Sequence, residues 1–210
     1  MSDTAVLARP RPTRSPLTGL ACVVAPALII AYGVARLIDG LDGTHGPGPA
    51  WTIGHLFFLA GLLLFGVAMI GLRNRVERGR IVATVAATAG LVGLVAFVRT
   101  TLIDLIVGFQ GVDRAGMNRI YPRYDGWPGG LPTGLTDALG NVGPALFLLG
   151  LLTLTILLVA ARPAMWSWWS PVLVAIGFAA ISVNLDLLPV GGAALLLALL
   201  PAYRRTAPTS

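Results

Sequence analysis

The chain has no lysine, one cysteine and few charges of any kind. Without an ε-ammonium there is no Schiff-base lysine and no Walker-type phosphate loop, since both chemistries need that group. The single thiol, Cys22, cannot close an internal disulfide, and no CxxC pair offers redox or zinc chemistry. Lying inside an apolar run, it reads as a small buried apolar residue. Two histidines, His45 and His55, are too few for a three-histidine zinc centre and give no helical pair for haem. Neither HExxH nor GxSxG occurs. The expectation is no cofactor and no metal.

What is present is apolar. Hydrophobic residues make up 56% of the 210 positions and charged ones 11%, against about a quarter charged in soluble domains. The uncharged stretches are 15–35, 43–72, 81–98, 138–161, 163–185 and 187–203. Each is close to the roughly 20 residues that carry a helix across about 30 Å of hydrocarbon. The fold class is therefore all-α, a polytopic transmembrane bundle of six helices. Their expected positions are about 17–38, 51–72, 80–99, 138–161, 164–183 and 187–203. For the last two, a re-entrant hairpin is the alternative.

All fifteen basic residues are arginine, and the net charge is +6. In a membrane chain this excess reports threading, because arginine-rich short loops stay in the cytoplasm. Arg9, Arg11, Arg14, Arg73, Arg75, Arg78, Arg80, Arg162, Arg204 and Arg205 fall on one side with only Asp3 and Glu77. Arg36, Arg99, Arg114, Arg119 and Arg123 fall on the other with seven acids. That ten-to-five split puts both termini inside, in the cell membrane. Residues 1–16 and 206–210 are expected as cytoplasmic tails flanking a domain at 17–205, the first of them disordered and basic. Trp166, Trp168 and Trp169 mark an expected inner interface.

The third helix carries "ATVAATAGLVG", in which Ala83–Ala87, Ala86–Gly90 and Ala89–Gly93 are small-xxx-small pairs. Such seams let membrane helices approach closely, which suggests a central place in the bundle or a homodimer contact. Residues 110–136 form the one long extramembrane segment. Its Arg119, Arg123, Tyr121, Tyr124 and Trp127 suit either a packed outer loop or a hold on an anionic head group.

Polar residues gather towards the outer helix ends: Arg36, His55, Arg99, Asp104, Asn141, Asn184 and Asp186. Arg36 and Asp39, three residues apart, read as a surface ion pair. Arg99 and Asp104 are five apart, about 140° around a helix, and so cannot pair with each other. Two arrangements are open. In one, His55, Arg99, Asn141 and Asp186 line a cavity under the loop, with Arg99 neutralising Asp186 or Asp104. In the other, Arg99 and Asp104 turn outward to head groups and His55 bonds a backbone carbonyl. Snorkelling favours the second.

Function is read mainly by elimination. A binding, assembly or accessory membrane protein without turnover fits the small-residue seam and the missing catalytic motifs. Its partners would be membrane lipids and a second membrane protein or copy, not nucleic acid. The alternatives are an outward-facing enzyme on a lipid-linked substrate, with His55 as base beside Asp186 or Asp104, or a small transporter.

Overall fold

A computed structural model describes residues 16–203. The tails, with Arg9, Arg11, Arg14, Arg204 and Arg205, lie outside the described residues. The elements are α1 (Pro16–Asp39), α2 (Pro49–Asn74), α3 (Arg80–Gln110), α4 (Arg114–Ile120), α5 (Thr133–Ala161), α6 (Trp169–Val183) and α7 (Leu188–Tyr203). Short 3₁₀ turns follow α1, α4 and α6, and among the described residues there is no strand.

Five helices are long and apolar enough to cross a membrane: α1, α2, α3, α5 and the 185–203 segment that contains α7. Helix α6, with 15 residues, is about 22 Å long at 1.5 Å per residue. The segment 163–168 ahead of it is a turn, so α6 starts later than its uncharged run implies. The chain has the make-up of a multi-pass membrane protein.

The six longer helices form a closed ring in the order α1, α2, α3, α5, α6, α7, with α7 packed back on α1. The α5/α6 seam is the thinnest of the six. Helix α4 and the turn after it lie against α3 at one end, called here the loop end.

The closest crossing is between α3 and α5. Ala87 and Gly90 are buried, as the small-residue seam implies, and the seam is used within the chain. A Cβ on Gly150 would stand 2.7 Å from Gly90 Cα and 2.5 Å from the Ala86 carbonyl oxygen. Only a hydrogen fits there, which is how small residues hold helices together where lipid removes the hydrophobic drive.

At the opposite end, called the arginine end, the core is closed. Leu72, Leu154, Leu158, Leu199 and Ala202 have no exposed surface. Arg75 donates to the Ala202 carbonyl at 3.1 Å, satisfying an acceptor in the last turn of α7. Arg162 and Glu77 pair at 2.6 Å. Trp166 is packed in the core rather than at an interface, while Trp168 and Trp169 are exposed and stacked 3.9 Å apart.

Candidate functional site: a loop-end cavity with a carboxylate in its wall

Helix α3 runs past Arg99 to Gln110, and this extension sets the site. It lifts Arg99 and Asp104 onto a continuous helix, on the different faces that a five-residue spacing requires. Arg99 turns to the loop. Its Nε donates to the Trp127 carbonyl at 2.6 Å, and one terminal nitrogen donates to those of Tyr124 and Asp125 at 3.0 and 2.7 Å. The guanidinium fork thus binds three backbone carbonyls in a single turn. It neither reaches Asp186 nor snorkels free to head groups, so both sequence-based placements of Arg99 are corrected.

Asp104 turns the other way, into the bundle, which corrects its outward placement. Its Oδ1 accepts from the Tyr121 hydroxyl at 2.7 Å, and its Oδ2 lies 3.6 Å from His55 Nε2. Burial pushes the Tyr121 hydroxyl above its ordinary value and the Asp104 carboxylate pushes it further, so it stays a donor. His55 is held tightly. Its Nδ1 stands 2.8 Å from the carbonyl of Trp51, one turn earlier on α2. A carbonyl can only accept, so Nδ1 carries a proton and Nε2 is the nitrogen that faces Asp104. The imidazole sits between the Trp51 ring, 4.1 Å away at 33°, and the Tyr32 ring, 5.3 Å away and edge-on. The Trp51 indole donates to the Asp104 carbonyl at 3.2 Å, and Arg114 covers the same ring at 5.8 Å.

Beneath Asp104 is a cavity of about 220 Å³, to which every helix of the ring contributes. Phe58, Phe97, Phe147 and Phe178 form a linked aromatic wall, with ring centres 6.2, 6.0 and 5.5 Å apart in turn. Leu185, in the turn after α6, lines it and is exposed, as is Thr100 on α3. Thr100 and Thr101 also line it, but their hydroxyls donate to the carbonyls of Ala96 and Phe97 at 3.1 and 2.8 Å. Neither is aligned with His55 as a nucleophile. A second space of about 10 Å³, with room for about one water, lies between Tyr32, Arg36, Asp39, Trp51 and His55.

The remaining polar residues scatter. Asp186 pairs with Arg36 at 3.4 Å, and Asp39 faces His45 at 3.6 Å, which corrects the expected Arg36–Asp39 pair. Asn141 is exposed on α5. Asn184 is exposed and accepts from the Asp186 amide at 2.9 Å, a turn cap. Arg119 and Arg123 are exposed. The Tyr124 hydroxyl bonds Gln110 at 2.8 Å, and Tyr124 and Trp127 pack on the Trp51–Met117 cluster. Among the described residues no group of three His, Cys, Asp or Glu stands ready to hold a metal ion.

No known family claims this arrangement. No family model matches the chain, and no curated protein or solved structure matches it either. What the site can do rests on its own chemistry. Sequence reasoning found His55, Asp104 and Tyr121 but missed Tyr32 and the phenylalanine wall, which are ordinary apolar helix positions until six helices bring them together. The i, i+4 spacing of Trp51 and His55 was the available signal for the stacked pair.

Proposed function

We propose that the chain is a membrane-embedded binding protein for a small amphiphile, without chemical turnover. The cavity carries this reading. Its wall is mainly aromatic and aliphatic, with Tyr32, two threonines whose hydroxyls bond backbone carbonyls, and one carboxylate, the usual make-up of a site that takes an apolar body and orients it by a polar group. A dry cavity of about 150 Å³ accepts a benzene-sized guest, so about 220 Å³ accommodates a short alkyl chain. The exposed lining residues Thr100 and Leu185 offer a guest a way in.

The arginine count supports a cytoplasmic arginine end and a loop end on the far side of the cell membrane. The closed core at the arginine end then supports binding from one side rather than passage through. An enzyme acting on a lipid-linked substrate is less well supported, since both threonine hydroxyls beside Asp104 are committed to backbone carbonyls. A structure determined in a lipid disc tests the proposal. Elongated density is expected between Phe147 and Asp104. A cavity that holds only water, or is closed by repacked side chains, overturns it.

A further inference from the structure

We infer that the polar group recognised in the cavity is a cation, a primary ammonium or a similar donor head, and that it exchanges for a proton on His55. The inference rests on the amphiphile-binding reading and names the ligand class for the same site. Among the described residues, Asp104 is the only charged side chain lining the cavity. Arg99 is engaged with loop carbonyls and Arg36 with Asp186. A carboxylate or phosphate head would bring a second negative charge against Asp104, an arrangement that low-dielectric surroundings penalise heavily. An ammonium would meet an acceptor of opposite sign.

The resident partner of that acceptor is His55. With Nδ1 donating to Trp51, a neutral imidazole would aim the lone pair of Nε2 at the Asp104 carboxylate 3.6 Å away. The imidazolium instead aims a proton at it and neutralises the pair. An ammonium arriving at Asp104 would put two positive charges side by side, and the two cations compete for one carboxylate. The N–H bond at Nε2 breaks, its electron pair stays on nitrogen, and the proton goes to water. One proton leaves as one ammonium enters, so the net charge of the site is unchanged.

The other groups facing the pair are already committed. Tyr121 donates to Asp104 Oδ1, Tyr32 packs edge-on to His55, and Arg36 and Asp39 line the water-sized space beside the imidazole.

The test is calorimetric titration of the full chain in lipid discs with octylamine, octanol and octanoate, using empty discs of the same lipid as the baseline. Two buffers of different ionisation enthalpy count protons. Octylamine is expected to bind on the order of tenfold tighter than octanol, and octanoate more weakly than either. About one proton is expected to leave per octylamine bound, so that binding tightens as pH rises. Asp104→Asn should remove the advantage of the amine over octanol. His55→Gln should keep amine binding but lose the proton release and the pH dependence. The guest ranking and the proton count need only the unaltered chain, so a variant that fails to fold does not block the test. Equal binding of all three guests overturns the cation assignment and leaves the cavity reading standing. Amine preference without proton release overturns the exchange at His55. Absence of binding by any guest overturns the cavity reading and this inference with it.

Discussion

The two ends of the bundle are closed by different physics. At the arginine end, leucines and alanines fill the ring completely, and arginines such as Arg75 and Arg162 finish the edges. At the loop end, polar side chains are tied to backbone: Arg99 to three carbonyls, His55 to Trp51, and Trp51 to the Asp104 carbonyl. The first kind of closure fills space because apolar side chains interdigitate. The second holds elements apart at hydrogen-bond length, and the aromatic walls below it do not meet across the centre. A cavity results at the loop end.

The largest effect that sharpens this comparison is expected at the α3/α5 crossing, which both ends depend on. Gly150→Ala places a methyl against backbone atoms of Gly90 and Ala86, which can retreat only by parting the helices. A loss of about 2 kcal/mol or more is expected, read as a lower melting temperature in detergent. Gly90→Ala should cost less, because the nearest atom is the mobile end of Met69. Equal costs would mean that the crossing is looser than these distances imply.

Next comes Arg99→Gln. Removing the fork takes the Arg99 donor from the Trp127 carbonyl, while those of Tyr124 and Asp125 keep the Trp127 amide and the Thr136 hydroxyl, at a cost of about 1–2 kcal/mol. The loss should be local: faster hydrogen exchange across 121–127 with the arginine end unaltered. Uniform loosening of both ends would contradict their independence. Arg119→Gln, at an exposed position, serves as the silent control.

A smaller effect is expected at Tyr121. Its hydroxyl titrates above the ordinary tyrosine value in the folded chain, so the fold holds that proton more tightly than the unfolded chain does. Its contribution is complete below the ordinary value of about 10 and is lost as pH rises through the raised one. Loop protection should therefore weaken only in strong alkali, and Tyr121→Phe should remove that alkaline step. The smallest change belongs to Arg36→Gln. Its partner Asp186 is about half exposed, and such pairs contribute within about 1 kcal/mol.

Much of the bundle was legible because its cause is local in sequence. Long uncharged runs give spanning helices, and the alanine–glycine spacing on α3 gives the close crossing with α5. The site was legible only in part. The charges at Arg99 and Asp104 end an apolar run, and a run that ends in charge suggests a helix leaving the hydrocarbon. Helix α3 continues because loop carbonyls, Tyr121 and His55 take up those charges, and all of these partners come from distant sequence. The same limit hid the pairing of Arg36 with Asp186, since helical spacing offered Asp39 as the nearer acid. Trp166 was misplaced because tryptophan near a helix end looks the same whether it anchors to lipid or packs inward.

The most direct test of the central claim, that the loop-end cavity is a binding site, is the melting temperature in lipid discs with and without saturating octylamine. It should be compared between the unaltered chain and Ile181→Trp, which fills the cavity from α6. A ligand held only by the folded state raises stability by mass action, by about 2.7 kcal/mol at a hundredfold excess over Kd. The unaltered chain should melt several degrees higher with the amine, and the filled variant should not respond. An unaltered chain whose melting ignores the amine, or a filled variant that responds equally, would contradict the claim.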